Sequence, residues 1–184
     1  MTKAIIIGDG PGGLSAALFL AKNGVDTIVF AQDKTAMHYA LLLNYLGIPE
    51  MTGTDFQQIA REQVASFGAD LRDQAVAAIA QAEQGFVVTT EDGAKHEADY
   101  VVLAEGKASK LAVAFGLLKG DAGIPVDRDG RCGVEGLYIV GRSTRVNRSQ
   151  AIISAGDGAA AALDILSRIH GNEFHDFDKP PAAS

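Results

Sequence analysis

Three glycines near the N-terminus stand at a spacing suited to binding the phosphates of a nucleotide. Gly8, Gly10 and Gly13 form a G-x-G-x-x-G pattern with Pro11 and Gly12 between them. Such glycines allow a tight turn, a close approach of the backbone to a pyrophosphate, and close packing of a helix on a strand. The helix N-terminus that follows offers free N–H groups and a positive dipole end to an anion. The pattern therefore predicts dinucleotide binding; the alternative is a glycine turn with a structural role alone.

The segments around this turn have the patterns that such a site needs. Residues 4–7 are a short apolar run with β-branched residues, residues 14–24 are helix-forming, and residues 26–30 predict a second strand. Continuous apolar runs at 100–104 and 137–141 predict further strands, buried on both faces of a parallel sheet. The order of these segments favours an α/β domain.

Between the strands at residues 26–30 and 100–104 the sequence predicts a helix, a further strand and an antiparallel meander. Thr54 is the expected N-cap of a helix over residues 55–67, and residues 69–71 form the expected third strand. The meander strands are predicted at residues 76–81, 86–90 and 95–97.

Three other segments carry weaker or partial patterns. The apolar residues 40–46 need a cover, and the sequence leaves two alternatives open, a short helix packed on the core or a wall over a bound cofactor. Residues 111–118 predict a short helix, and residues 151–169 predict a long alanine-rich one. From Gly171 onward the tail is expected to lie on the surface or to be disordered.

Composition excludes several classes of function. The net charge of -7 disfavours nucleic acid as a partner, because phosphate binding depends on clustered Lys and Arg. No run approaches the ~20 apolar residues of a membrane helix, and no cleavable leader is recognised, so we expect a cytoplasmic protein with no membrane partner. Cys132 is the only cysteine, which excludes an intrachain disulfide, and the four histidines lack ligand spacing, so no metal site is expected.

Four stretches together resemble the FAD-binding part of the thioredoxin reductase family, and more closely its small single-domain relatives. They are residues 8–21, residues 44–53 with 61–69, residues 98–106, and residues 137–141 with 150–160. The resemblance implies a three-layer FAD/NAD(P)-binding Rossmann-like α/β fold, with a central parallel sheet, helices on one face and the small β-meander on the other. It also implies one FAD per chain, a single FAD-binding domain over residues 1–170, a tail over residues 171–184, and a homodimer.

The same resemblance implies which residues contact the cofactor. Gln150 and Ala151 would place backbone N–H groups near the flavin N1 and C2 carbonyl, where negative charge develops on reduction. The implied cofactor-binding residues are Gly8, Gly10, Pro11, Gly12, Gly13, Ala31, Gln32, Ala104, Glu105, Gly106, Gly141, Arg142, Gln150, Ala151 and Ile152.

Several of these positions depart from the family pattern. Ala31 stands where an acidic residue would bind the adenosine ribose, although the neighbouring Gln32 could still donate a hydrogen bond. Arg142 replaces an aspartate, Glu105 replaces a threonine, and Asp9 adds a negative charge beside the expected pyrophosphate. We expect Arg142 to approach Asp9, Glu105 or the pyrophosphate itself; the alternative is a solvated loop residue.

The largest departure lies between the third and fourth stretches. Only residues 107–136 occupy the place where the family carries an NADPH-binding domain with a Cys-x-x-Cys motif. We therefore expect a FAD-binding oxidoreductase that is reduced by an external donor or a partner reductase, and not a thioredoxin reductase. Two alternatives remain open: a non-catalytic flavin-binding or sensing module, and a chain that has lost FAD and serves as an interaction protein or binds ADP or NAD(P).

Overall fold

The chain folds around a five-stranded parallel sheet. The structure, a computed structural model, describes residues 1–180. In chain order the elements are β1 (Lys3–Ile7), α1 (Pro11–Lys22), β2 (Asp26–Phe30), β3 (Leu41–Leu42), β4 (Met51–Thr52), α2 (Gly53–Ser66), β5 (Asp70–Arg72), β6 (Val76–Gln81), β7 (Phe86–Thr90), β8 (Lys95–Ala98), β9 (Tyr100–Leu103), α3 (Lys110–Ala114), β10 (Leu137–Ile139) and α4 (Ala151–His170). The strand order in the central sheet is β10-β9-β1-β2-β5.

Each face of the sheet carries its own apolar layer. On one face, Ile6 and Val29 of the sheet pack with Leu20 of α1 and Ile165 of α4. On the other face, strands β6, β7 and β8 form an antiparallel meander whose inward side chains, such as Phe86, pack on the sheet. The apolar runs of the parallel strands are covered on both sides, as expected for buried strands. This arrangement confirms the predicted three-layer fold.

Helices α1 and α4 cross at backbone contact. A Cβ atom built on Gly158 would lie 2.0 Å from the carbonyl oxygen of Gly12, so a larger residue at position 158 does not fit this crossing. Ala16, Ala161 and Ala162 are fully buried around the crossing. Small residues therefore fix the position of α4 relative to the glycine turn that precedes α1.

The start of α2 differs from the prediction. Its N-cap is Thr52 and not Thr54. The Thr52 hydroxyl accepts a hydrogen bond from the Asp55 backbone N–H at 3.1 Å and donates one to the Asp55 carboxylate at 2.7 Å. This reciprocal pairing, close to a capping box, satisfies an N–H group that Thr54 is too late in the chain to reach.

The apolar stretch at residues 40–46 is not a helix, so that alternative is wrong. Leu41 and Leu42 form β3, which pairs antiparallel with β4 at Met51 and Thr52. Leu42 is buried, whereas Leu43 and Leu46 are exposed. The stretch forms a hairpin wall beside the carboxyl ends of the strands, and the second alternative, a wall over a bound cofactor, stays a prediction.

Two further predictions need adjustment. Helix α3 ends at Ala114, earlier than the predicted end at residue 118. The tail from Gly171 lies on the surface but is not disordered over residues 171–180, since Phe174 packs against the α1–α4 layer and Lys22 pairs with Asp176 at 2.6 Å. The rest of the predicted tail, residues 181–184, lies outside the described residues.

A polar network fastens the second half of α4 to the sheet. Asp164 accepts hydrogen bonds from the Tyr138 hydroxyl at 2.6 Å, from Arg131 Nε at 2.9 Å and from Arg168 Nε at 3.0 Å. Burial would raise the pKa of Asp164, but these three donors outweigh it and lower that pKa to about 2. Glu135 joins this network by pairing with Arg168.

No helix within residues 1–180 is both long and apolar enough to cross a membrane.

Candidate functional site

A cleft of about 740 Å³ opens at the carboxyl ends of the parallel strands. The chain runs from β1 outward to β2 and β5, and then returns to the other side of β1 with β9 and β10. The strand order therefore reverses between β1 and β9, and ligands of open α/β sheets bind outside the carboxyl ends of the strands at such a point. Residues 7–12, 104–106 and 140–142 line the cleft at this place.

The glycine turn shapes the floor of the cleft. Gly8 has φ +102°, and a Cβ atom there would lie 2.5 Å from the Ala104 carbonyl oxygen. Strand β9 therefore approaches the turn so closely that only glycine fits. A Cβ atom on Gly10 would be at ordinary contact distance, 3.5 Å, from the Thr35 hydroxyl. The two glycines therefore differ: Gly8 fits the turn against β9, whereas Gly10 lines the cleft without so close a neighbour.

Two helix N-termini face the cleft without a capping side chain. Helix α1 begins after Gly10 and α4 begins after Gln150, and no side chain within residues 1–180 caps either helix by a hydrogen bond. Neither helix has an acidic residue in its first turn. Pro11 and Ala151, the first residues of the two helices, both line the cleft. The free N–H groups of the two first turns, together with the positive dipole ends, make two places at which an anion or a polar ligand edge is stabilised. In α1 these N–H groups belong to the residues after Pro11, because proline has none.

Asp9 does not present a bare charge to this site. Its carboxylate pairs with Arg61 of α2 and accepts a hydrogen bond from the Asp33 backbone N–H at 3.1 Å. Burial raises the pKa of Asp9, and Arg61 opposes that rise. Gln57, also on α2, donates to the Asp9 carbonyl oxygen at 2.6 Å. Helix α2 thus neutralises the acid inside the turn.

This pairing corrects the prediction that Arg142 compensates an acid. Glu105 accepts hydrogen bonds from the N–H groups of Leu111 at 2.7 Å and Ala112 at 2.9 Å, so it caps α3. Arg142 lines the cleft, and its Nε is buried with no hydrogen-bond partner among residues 1–180. Of the three predicted partners, a ligand phosphate stays a prediction, as does the alternative of a solvated side chain, since Arg142 as a whole is half-buried.

Three predicted site residues lie away from the cleft. Gly13 is buried inside α1, where a Cβ atom would lie 1.9 Å from the Gly8 carbonyl oxygen. Ala31 is buried and donates its N–H to the Arg72 carbonyl oxygen at 2.8 Å. Ile152 is exposed on the outside of α4. The other twelve all line the cleft: Gly8, Gly10, Pro11, Gly12, Gln32, Ala104, Glu105, Gly106, Gly141, Arg142, Gln150 and Ala151.

The comparisons with known proteins agree with this geometry. The profile of a FAD binding domain family matches residues 3–89. A thioredoxin reductase of Helicobacter pylori is 33% identical over 177 residues, which are 92% of this chain and 53% of that protein. A thioredoxin reductase of Mycolicibacterium smegmatis is 30% identical over 192 residues, with 92% of this chain and 60% of that protein covered.

The chain is similar in sequence to thioredoxin reductases over most of its length, and its first half matches a FAD binding domain family. It spans between about half and three fifths of the length of these relatives. The family match and the homologues identify FAD as its cofactor.

Solved structures show the same fold. The atypical thioredoxin reductase TRi of Desulfovibrio vulgaris Hildenborough superposes with a TM-score of 0.83 at 18% identity, over 93% of this chain and 99% of that chain. A thioredoxin reductase of Gloeobacter violaceus superposes with a TM-score of 0.84 at 18% identity, over 98% and 100% of the two chains.

Several residues of the cleft were missed by the sequence analysis. Lys34 and Ser154 line the cleft, and Asn44 joins its hairpin wall to the start of α4 by donating to Gln150 Oε1 at 3.2 Å. Arg61 lies in one of the family-like stretches, but no pattern in the sequence pairs it with Asp9. These residues come from loops or from distant elements, where periodicity carries no information about contacts.

Proposed function

We propose that the chain binds one FAD in this cleft and acts as a flavoprotein oxidoreductase that receives its electrons from outside the chain. The observation that carries the proposal is the unpartnered Nε of Arg142, buried in a cleft that two open helix N-termini also face. An unpaired guanidinium nitrogen is costly in a buried place unless a ligand supplies its acceptor. The dinucleotide's phosphates and carbonyl oxygens are acceptors of the right charge.

The direction of the cofactor follows from the strand order. In dinucleotide folds the pyrophosphate lies at the N-terminus of the first helix, here α1, and the adenosine ribose lies beyond the second strand. Gln32 and Lys34 follow β2 and line that side of the cleft. The isoalloxazine then occupies the opposite side, over the ends of β9 and β10 and beside the start of α4.

The chain's own residues would bind and orient the cofactor while FAD supplies reversible two-electron chemistry. The N–H groups at the start of α1 and the Arg142 guanidinium would hold the pyrophosphate. The backbone N–H groups at Ala151 would donate to the pyrimidine edge of the flavin, where negative charge grows on reduction. Asp9 is already paired with Arg61, so it would not repel the phosphates.

The proposal also states that this chain does not itself reduce thioredoxin. Residues 107–136 fold into α3 and turns, and they include the single cysteine of the sequence, Cys132. That thiol is half-buried, donates to the Leu137 carbonyl oxygen at 3.4 Å, and has a pKa raised by burial. One thiol cannot cycle between a dithiol and a disulfide within the chain. Electrons would therefore reach the flavin from a separate donor.

A homodimer is part of the same proposal and rests on the resemblance. Ile59 on α2 with Ile152 and Ile153 on α4 are exposed apolar side chains that a second copy would cover. Sedimentation velocity of the purified protein gives the test. A mass of one chain at all concentrations would remove the dimer from the proposal.

The decisive experiment for the cofactor is an absorbance spectrum of the purified protein, with the released molecule identified by mass. We expect flavin bands and close to one FAD per chain. Reduction of that flavin by dithionite, and its reoxidation, would then show redox competence. A colourless protein that stays colourless after incubation with excess FAD would overturn the proposed function.

A further inference from the structure

Four basic residues lie in the segments that follow β9 and β10, and two of them, Lys107 and Arg148, are adjacent in sequence to residues that line the cleft. Lys107, Lys110, Lys119 and Arg148 are exposed and make no salt bridge with any other residue in the described part of the chain. We name this group the basic rim. It stands out because the whole chain carries a net charge of -7.

Hydrogen bonds make the rim one continuous surface. The Lys119 ammonium donates to the carbonyl oxygens of Lys107 at 2.6 Å and Ala108 at 3.2 Å, which joins the two ends of the α3 segment. The Ser143 hydroxyl donates to the Gly106 carbonyl oxygen at 2.9 Å. The Val146 N–H donates to the Ala122 carbonyl oxygen at 3.0 Å. The loops that carry the four charges are therefore attached to one another.

The acidic residues on these loops do little to cancel the rim. Glu105 is turned inward to cap α3, and Asp157 already pairs with Arg145 at 3.2 Å. Further along the loop after α3, Asp127 pairs with Arg131 and Glu135 pairs with Arg168, which leaves Asp121 as an exposed acid without a salt bridge among residues 1–180. The surface therefore keeps an excess of positive charge that its own residues do not neutralise.

The basic rim borders the part of the cleft assigned to the flavin. Lys107 follows Gly106, and Arg148 precedes Ser149, and both of these neighbours line the cleft. The opposite side, where the adenosine would lie, has Lys34 and Glu91 in its lining and Asp92 beside Glu91. The unpaired basic residues are thus concentrated on the flavin side.

Resting on the proposed FAD site, we propose that the basic rim docks an acidic electron-carrier protein, which exchanges electrons with the bound flavin. Complementary charge steers such a partner to its site and raises the association rate, and salt screens the effect. The overall negative charge of the chain would repel the same partner elsewhere, so the rim selects both the partner and the place at which it binds.

The redox step balances with a one-electron carrier. Two carrier molecules each give up one electron, and FAD takes up these two electrons and one proton from solvent to become FADH⁻. Each carrier leaves in its oxidised form, so no further reactant is required. In the reverse direction the reduced flavin releases the same two electrons and the proton.

The test uses the FAD-loaded protein and reduced flavodoxin, a small and strongly acidic one-electron carrier, as the probe. Anaerobic stopped-flow mixing would follow the long-wavelength absorbance of the flavodoxin semiquinone that forms as FAD is reduced, at ionic strengths from about 0.01 to about 0.3 M. The rim variant is Lys107→Glu with Arg148→Glu. The matched control is Lys95→Glu with Lys179→Glu, which makes the same change in net charge at exposed positions outside the rim.

We expect the second-order rate constant of the parent protein to fall on the order of tenfold across this salt range. The rim variant should lose about tenfold at low salt, and the control should stay within about twofold of the parent. Equal rates for the rim variant and the control would overturn the docking proposal, as would a rate that ignores salt or no reduction by flavodoxin. Dithionite reduction of the same samples separates these results from a failure of the FAD site, which the spectrum of the protein shows beforehand.

Discussion

The two ends of α4 are built in opposite ways. At its C-terminal half, Asp164 collects hydrogen bonds from Arg131, Tyr138 and Arg168. At its N-terminus, the first turn has no side-chain cap among the described residues, and the nearby Arg142 keeps a buried Nε without a partner there. The same helix thus carries a completed polar network at one end and an incomplete one at the other.

The difference shows which end serves the fold and which end serves a ligand. Buried polar groups in native structures are nearly always satisfied, so an exception calls for an explanation. The network around Asp164 gains stability from groups that the chain itself supplies. The end at the cleft leaves hydrogen-bond donors whose acceptors a ligand would supply.

The backbone contact between α4 and α1, which lies between the two ends of α4, should be the most sensitive to substitution. Gly158→Ala would place a Cβ atom 2.0 Å from the Gly12 carbonyl oxygen, so α1 and α4 would have to separate. We expect a loss of about 3 kcal/mol or more of unfolding free energy, together with weaker FAD binding. Chemical denaturation and FAD titration measure the two effects.

Gly156→Ala is the matched control, because a Cβ atom there meets nothing within 4 Å. It should leave stability unchanged or raise it by up to about 1 kcal/mol. If both variants lose the same stability, close packing at the crossing is not the cause.

Removing the hydrogen-bond network at the C-terminal half of α4 should lower the unfolding free energy and leave cofactor binding nearly unchanged. Asp164→Ala removes the acceptor of three hydrogen bonds and leaves the Tyr138 hydroxyl and two guanidinium groups without that partner. We expect a loss on the order of 3 kcal/mol in urea unfolding, with the dissociation constant of FAD within about threefold of the parent. A large loss of FAD affinity at unchanged stability would reverse the roles assigned to the two ends.

The completed end should also give the protein a specific acid sensitivity. The pKa of Asp164 is about 2 in the folded state against an ordinary value of 3.8. Because the folded-state pKa is the lower one, the stabilisation is present above about pH 4 and is lost as the pH falls toward 2, which amounts to roughly 2 kcal/mol. Unfolding free energies measured between about pH 5 and about pH 2 should fall less steeply for Asp164→Asn. Parallel curves would exclude this carboxylate as a source of acid sensitivity.

Substitution of Arg142, near the N-terminus of α4, should weaken FAD binding and leave the stability of the fold unchanged. Arg142→Ala should weaken FAD binding about tenfold and reduce its salt dependence, because one charge-assisted contact to phosphate is lost. Stability of the apoprotein should not fall, since Arg142 Nε has no partner within residues 1–180 to lose. Arg128→Ala, on an exposed turn, is the control. Fluorescence titration with FAD gives the affinities, and unchanged FAD retention by Arg142→Ala would remove the phosphate contact.

The smallest expected effect concerns the neutralised acid of the glycine turn. Arg61→Ala would leave the Asp9 carboxylate unpaired near the phosphates, so FAD affinity should fall by about fivefold and recover partly as the pH is lowered and Asp9 takes up a proton. Adding Asp9→Asn to Arg61→Ala should restore affinity by removing the charge. A double variant that binds FAD no better than Arg61→Ala alone would show that Arg61 acts in another way.

The sequence predicted what depends on local pattern. The glycine turn, the buried parallel strands, the meander and the long last helix were recognised, because period and turn residues are properties of short segments. The cap of α2 was misplaced by two residues, since Thr52 and Thr54 both carry a hydroxyl and only the geometry shows which one reaches the N–H of Asp55.

The sequence did not predict which side chains pair when they are far apart along the chain. Asp9 and Arg61 are 52 positions apart, and Arg142 was expected to meet Asp9 or Glu105 because all three lie near the same turn. Charge complementarity alone does not choose among nearby partners; packing does. Arg61 of helix α2 pairs with Asp9, and Glu105 caps α3.

The backbone contact between α1 and α4 has a further consequence for selectivity. Because Gly12 and Gly158 are in backbone contact, α1 and α4 cannot come closer, and the close packing around the crossing resists their separation, so the two helix N-termini are held at a fixed spacing. If FAD binds as proposed, a mononucleotide would meet the N–H groups of only one helix, whereas a dinucleotide would meet both. The spacing of the two helices would then favour ligands of dinucleotide length.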